Sequence, residues 1–245
     1  MTQAVRRIAM WSGPRNISTA MMRSWGNRSD TLVCDEPLYA HYLLKTGAPH
    51  PGVDEVLRHQ ENDWRKVVAW LTSHLPDGKS ISYQKHMTHH LLPEIDRSWL
   101  DHVENVFLIR EPKEVLTSLA RVTPNCGLAE TGLPQQVEIF DLVSRRTGRT
   151  PVVIDARDVL ENPRQALQLL CGALGVEFME TMLAWPAGPR DTDGIWGKHW
   201  YDAVWQSTSF QPYQPKPQRI PDRLAGVLAE ADRLYQRLYA CKLRQ

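Results

Sequence analysis

No stretch of this chain approaches the ~18 consecutive apolar residues that a membrane-spanning helix needs, so no membrane role is expected. A dominant charge of one sign is missing too. Lys and Arg total 29, Asp and Glu 28, and the formal net charge is +1. That balance gives no electrostatic case for nucleic acid as the main partner. Cysteine is sparse: Cys34, Cys126, Cys171 and Cys241 are widely scattered and form no C-x-x-C pair. Cys34 and Cys171 fall in apolar patterns and read as small core residues, and a reducing cytoplasm is the expected setting. There is no GxGxxG fingerprint, internal repeat or low-complexity tract. The first apolar run begins within a few residues of Met1, leaving no room for a signal peptide. The 245 residues suit one domain over 1–245, since single cores stop growing near ~250–300 residues.

What is present is alternation. Short β-branched and aromatic runs at 5–11, 31–35, 79–84, 104–109 and 151–155 read as strands. Helical spacing separates them, over 18–27, 54–75, 111–122, 134–147 and 163–174. Thr150-Pro-Val-Val-Ile-Asp has the continuous apolar character of a buried parallel strand. The expectation is a three-layer α/β/α fold around a central parallel sheet of about five strands, with a ligand cleft at the strands' carboxyl ends. Two stretches read as insertions over that cleft: 36–53, and the Trp-, Gly- and Pro-rich 185–221 with Trp185, Trp196, Trp200 and Trp205. Four prolines in 212–221 predict an extended strap, and 222–243 a core-packing helix whose less favoured use is an oligomer interface.

Two segments carry chemistry. In the first, the apolar run ends in Trp11-Ser12-Gly13-Pro14-Arg15-Asn16-Ile17-Ser18-Thr19 and a helix follows. A strand, a tight loop and a helix start present free N–H groups and a positive dipole end to an anion. Arg15 adds a fork of donors, and Ser18 and Thr19 add hydroxyls. Compared with G-x-x-x-x-G-K-[ST], Ser18 and Thr19 stand where Gly and Lys belong. The lysine that reaches the β- and γ-phosphates is missing, which counts against ATP chemistry. The plainer alternative, Ser18 as a helix cap and Arg15 as a surface charge, stands at even odds on this segment alone. In the second, Val106-Phe107-Leu108-Ile109-Arg110-Glu111-Pro112 is followed by Ser118. Arg110 stands at a strand's carboxyl end, where open α/β sheets bind ligands. Ser118, eight residues on, is placed to share one phosphate with it; a sheet-edge cap and a neutral helix residue are the alternative.

On these residues the chain resembles the sulfotransferases that use 3′-phosphoadenosine 5′-phosphosulfate (PAPS). Pro14-Arg15-Asn16-Ile17-Ser18-Thr19 loosely follows the family's P-[KR]-S-G-T-[ST] loop, with Asn16 and Ile17 replacing Ser and Gly. Arg110-Glu111-Pro112-Lys113-Glu114-Val115-Leu116-Thr117-Ser118 follows R-x-P-x-[DE]-x-x-x-S in composition and spacing. Asp155 to Pro163 resembles the acidic turn after the last core strand, and the likeness spans roughly 5–125 and 150–205. It implies sulfuryl transfer from PAPS to a hydroxyl or amine of a small-molecule acceptor, leaving adenosine 3′,5′-bisphosphate, with no metal required. Arg15, Asn16, Ile17, Ser18 and Thr19 would hold the 5′ side, and Arg110 and Ser118 the 3′-phosphate. Gly197-Lys198, within Trp196-Gly197-Lys198-His199-Trp200, weakly resembles the family's R-K-G closing segment, in reversed order.

The reaction also needs a base and a cation. Glu36 closes the second strand in Cys34-Asp35-Glu36-Pro37, as a base or equally as a turn cap. The second candidate lies in Lys85-His86-Met87-Thr88-His89-His90-Leu91-Leu92-Pro93. The family's K-[TS]-H-[LM]-P pattern would make Lys85 the cation at the bridging oxygen and His86 the base, although His86 sits one position early. His89 and His90 read as helix-start residues, and a zinc site on His86, His89 and His90 is a minor reading. Arg23 and Arg121 read as solvated helix charges in preference to phosphate ligands. Two rivals remain: a P-loop kinase or phosphotransferase, and a nucleotide-binding protein of this fold without catalysis.

Overall fold

The computed structural model describes residues 5–123, 125–215 and 220–244. Five parallel strands form one sheet in the order β2-β3-β1-β4-β5. They are β1 (Arg6–Ser12), β2 (Thr31–Asp35), β3 (Ile81–Met87), β4 (Glu104–Ile109) and β5 (Val152–Asp155). The helices are α1 (Ser18–Gly26), α2 (Tyr39–Thr46), α3 (Val53–His59), α4 (Trp64–Leu71), α5 (Pro112–Leu119) and α6 (Leu133–Thr147). They continue with α7 (Ala156–Glu161), α8 (Pro163–Ala173), α9 (Gly197–Trp200), α10 (Asp202–Trp205) and α11 (Ala225–Tyr239). None of the described helices is long and apolar enough to cross a membrane.

The period of two along each strand divides the core. Ile8 and Met10 of β1 join Tyr83, Val106 and Ile154 on one face, under Met21, Met22 and Trp25 of α1 and Leu167 and Leu170 of α8. Ala9 and Trp11 face the other way with Phe107 and Val153, under Val67 and Leu71 of α4, Val137 and Phe140 of α6, and Leu238 of α11. Each fully buried aliphatic side chain of this kind contributes roughly 1.5–3 kcal/mol. Both faces are covered, which is why the strands read as continuous apolar runs.

Three boundaries differ from the sequence expectation. The helix expected over 54–75 is two helices, α3 and α4. Gln60 turns extended, and Asp63 caps the new helix by accepting from Arg65 N at 3.0 Å; a strong N-cap residue inside a periodic stretch restarts the helix. The third strand, expected over 79–84, is shifted to Ile81–Met87, because Ser12 at the end of β1 pairs with Met87. The last helix begins as a short 3₁₀ turn over Asp222–Leu224 and is α-helical only over Ala225–Tyr239. Part of the expected strap, 216–219, lies outside the described residues.

Candidate active site

All five strands end on one side, so their carboxyl ends deliver Gly13, Glu36, Thr88 and Arg110 to one edge of the sheet. A cavity of about 880 Å³ opens there. Glu36 and Lys85 lie over β2 and β3, and the two anion-binding segments over β1 and β4.

The loop after β1 is held from several sides. Asn16 Nδ2 donates to Leu108 O at 3.0 Å, and its Oδ1 accepts Ile17 N at 2.8 Å. Gln136 Nε2 donates to Trp11 O and Leu108 O at 3.0 and 3.1 Å. Gly13 lies against α6's entry turn: a Cβ there would sit 2.2 Å from Thr131 O. Thr88 Oγ1 donates to Gly132 O at 2.8 Å, tying β3's exit to the same turn. Arg15 is held at φ 58°, an uncommon state for a residue with a Cβ. No side chain caps the first turn of α1, so its N–H groups stay available to a ligand.

The two segments, about a hundred residues apart, meet directly. Arg15 Nε donates to Ser118 Oγ at 2.8 Å, and Arg110 Nη1 donates to Arg15 O at 2.8 Å. Glu114, one turn on in α5, accepts from Arg110 Nε and Nη2 at 2.9 and 2.7 Å and fixes the plane of the guanidinium. Burial and the neighbouring guanidiniums of Arg110 and Arg121 lower the pKa of Arg15. The like charges of Arg110 and Arg121 are thus felt at Arg15. Ile17, Ser18 and Thr19 also line the cavity.

At the junction of the two ends stands Lys85, 1% exposed. Its Nζ donates to Asp35 Oδ1 and to Tyr201 Oη, both at 2.8 Å, and to Glu36 Oε1. Tyr201 Oη in turn donates to Asp35 Oδ2 at 2.8 Å. Burial would lower the Lys85 pKa, but the carboxylates of Asp35 and Glu36 outweigh it and hold the amine charged. Burial pushes the Glu36 carboxyl up, against the pull of Lys85. Glu36 is the second non-glycine residue at positive φ among those described, 42°. Its backbone is clamped by Lys85 O, which accepts Glu36 N at 2.9 Å, and by Gln60 Nε2, which donates to Glu36 O at 2.9 Å.

His86 is elsewhere. Within a strand, neighbouring side chains leave opposite faces, so Lys85 and His86 cannot both enter one cavity. His86 is 2% exposed and stacks on Trp11, ring centroids 4.4 Å apart, with Trp99 at 5.5 Å. Burial first, then Lys85, lowers its pKa to about 3. It does not line the cavity, and a role as base is withdrawn on that geometry. Gly197 and Lys198 also fall outside the lining: Gly197 is buried, and Lys198 Nζ donates to Glu55 Oε2 at 2.5 Å on the surface. Their neighbours Trp196, Trp200 and Tyr201 line it instead. Arg23 is buried and paired with Asp193 at 2.6 Å, so it is neither a phosphate ligand nor a solvated charge. Asp155 caps α7 and accepts from Tyr235 Oη at 2.6 Å, a structural role.

The sequence analysis did not assign Tyr39, Tyr42 and His50 to the site, and read His89 and His90 as helix-start residues or, less favoured, zinc ligands. Tyr39 and Tyr42 on α2, His50, and His89 and His90 in the 3₁₀ turn after β3 form a wall of rings opposite the anion site. Tyr39 and Tyr42 stand at i,i+3 in the stretch read only as an aromatic insertion, and that spacing was the available signal. Among the described residues no group of three or more His, Cys, Asp and Glu side chains is arranged to hold a metal ion.

Comparison with known proteins gives the family and the fold. A family model described as "Sulfotransferase domain" matches residues 6–240, and the chain belongs to that family. Two Arabidopsis thaliana proteins are similar in sequence. Branched-chain-amino-acid aminotransferase-like protein 2 is 35% identical over 228 residues, and the like-named protein 1 is 37% identical over 214. These matches cover 93% and 87% of this chain but only 40% and 38% of the relatives. Solved structures share the fold. The sulfotransferase domain of the Synechococcus PCC 7002 olefin synthase has TM-score 0.58 at 18% identity, covering 100% of this chain and 98% of the other. That of the curacin biosynthetic pathway has 0.55 at 16%, covering 97% and 99%. A sulfotransferase from Alicyclobacillus acidocaldarius has 0.56 at 12%, covering 98% of each.

Proposed function

We propose that the protein transfers a sulfuryl group from PAPS to a hydroxyl or amine of a small acceptor. The observation that carries this reading is the Arg15–Ser118–Arg110 cluster, in which the two phosphate-binding segments meet over β1 and β4. PAPS would supply the activated sulfuryl group and leave as adenosine 3′,5′-bisphosphate. Arg15, Ser18, Thr19 and the uncapped first turn of α1 suit the 5′ phosphosulfate. Arg110, with its plane set by Glu114, and Ser118 suit the 3′-phosphate.

Lys85 is held charged beside Glu36. It can neutralise charge on the leaving oxygen, and Glu36 can accept the acceptor's proton. The balance is simple. An acceptor oxygen or nitrogen forms the new bond to sulfur, and the sulfur–oxygen bond to the 5′-phosphate breaks with its electron pair on that oxygen. The proton passes to Glu36. His90 Nδ1 lies 3.8 Å from Glu36 Oε2, beyond hydrogen-bond reach. The four cysteines are unpaired, which supports work in a reducing compartment such as the cytoplasm.

The deciding experiment is calorimetric titration with adenosine 3′,5′-bisphosphate, ADP and Mg²⁺-ATP. Tight bisphosphate binding with weak ADP binding is expected. Preference for Mg²⁺-ATP overturns the reading in favour of a phosphotransferase.

A further inference from the structure

The cavity is divided by charge. Its cationic side chains among the described residues are Arg15 and Arg110 at the anion site and Lys85 at the junction, where two carboxylates hold it. The opposite end carries rings and carboxylates. His90 is stacked between Tyr39 and Tyr42, with centroids at 4.9 and 4.6 Å. Trp196 meets Tyr39 edge-on at 5.0 Å, and His50 meets Trp200 at 6.3 Å. These rings form one continuous wall.

The histidines in it carry no charge at neutral pH. Burial lowers His50, holds His89 to about 4 and lowers His90 well below its ordinary value. Glu36 and Glu130 line the cavity with the two tyrosines. After burial, the largest influence raising the Tyr39 phenol is Glu36, and Glu130 adds to the rise at Tyr42. Polar atoms here also lack partners: Nδ1 of His89 and of His90, and Oε1 of Gln135, are buried without a hydrogen bond. His90 is only 3% exposed. Unpartnered polar atoms beside ring faces and lining carboxylates suit a ligand that brings hydrogen-bonding groups and positive charge. An anionic acceptor would meet carboxylates and ring faces with no free cation to answer it.

Building on the sulfuryl-transfer reading, we propose that the acceptor is a small hydroxyl compound carrying an ammonium group. The ammonium sits against Tyr39, Tyr42 and His90, with Glu130 at the mouth. The hydroxyl points towards Glu36 and Lys85. A ring-lined pocket of ordinary hydrophobic kind would prefer the opposite, since an uncharged alkanol of equal length is the more apolar ligand.

That contrast is the test. The whole chain, saturated with adenosine 3′,5′-bisphosphate, is titrated calorimetrically with 5-aminopentan-1-ol, hexan-1-ol and 5-hydroxypentanoate, ligands of matched length. The expected result is that the amino alcohol binds about tenfold or more tighter than hexan-1-ol, the scale of one or two cation–π contacts, and that the hydroxy acid is weakest. Tyr42→Leu should abolish that preference while leaving bisphosphate affinity unchanged. Equal binding of the two alcohols, tighter binding of hexan-1-ol, or no binding of any of the three overturns the proposal. So does a Tyr42→Leu chain that keeps the preference. Failure of the bisphosphate to bind at the outset overturns the sulfuryl-transfer reading itself, so the two failures are distinguishable.

Discussion

Replacing His86 by Phe separates a structural histidine from a catalytic one. The ring would stay between Trp11 and Trp99, and only the contact of Nε2 with Gln84 Oε1 at 3.2 Å would be lost. The folded pKa is about 3, against 6.5 for an unperturbed histidine. Between those values the unfolded chain binds the proton and the folded chain does not, so stability falls as pH falls below 6.5. At pH 5 the unfolded imidazole is almost fully protonated while the folded one is still neutral. The loss between pH 7 and pH 5 from this residue is about 2 kcal/mol. Urea unfolding of both chains at the two pH values reads it directly. The variant will be less stable at pH 7, because Gln84 loses a partner, by roughly 1–3 kcal/mol. It should nevertheless lose about 2 kcal/mol less than the parent on acidification. Acid losses equal within ~0.5 kcal/mol would refute the assignment of a buried, neutral His86. A folded variant with intact bisphosphate binding but turnover reduced by about a hundredfold would return His86 to the chemistry.

Three further outcomes are expected. Arg110→Ala should weaken adenosine 3′,5′-bisphosphate by about 10- to 150-fold, the scale of a charged hydrogen bond, and leave ADP nearly unchanged; calorimetry that shows equal loss for both removes Arg110 from the 3′-phosphate. Glu36→Gln should keep bisphosphate affinity and cut turnover by about 10²-fold or more, read as kcat in a sulfate-transfer assay, and unchanged kcat rules it out as base. Gly13→Ala puts a methyl 2.2 Å from Thr131 O, so thermal unfolding should show a loss of about 1–3 kcal/mol, with weaker bisphosphate binding because the loop must move.

The sheet was legible because strands covered on both faces are continuously apolar, and Val106 to Ile109 and Val152 to Asp155 are of that kind. The two strand-loop-helix segments were legible as local structure because a loop between strand and helix has few ways to be built. That they touch, Arg15 on Ser118, is tertiary information that neither segment carries alone. The third strand's reach was missed because Lys85, His86 and Met87 lack a strand's apolar pattern and are held in it by pairing with β1. With the strand ended too early, Lys85 and His86 looked like neighbours in one loop. The alternation of faces then puts one at the cavity and the other in the core. The acceptor wall was the least visible part, since Tyr39, His90 and Trp196 come from three separate stretches and meet only in the fold.

The entry turn of α6 grips the β1 loop through Gly13, and Thr88 grips that turn. The β1 loop therefore takes its working shape from residues translated more than a hundred codons later. A nascent chain halted before Gly132 has β1 and the sequence of its loop but lacks the piece that seats it. Contacts so far apart in sequence are closed late in folding. Under the proposed function, capture of nucleotide should thus report the arrival of α6: ribosome-bound chains would acquire it once α6 has emerged, and earlier chains would be blind to it.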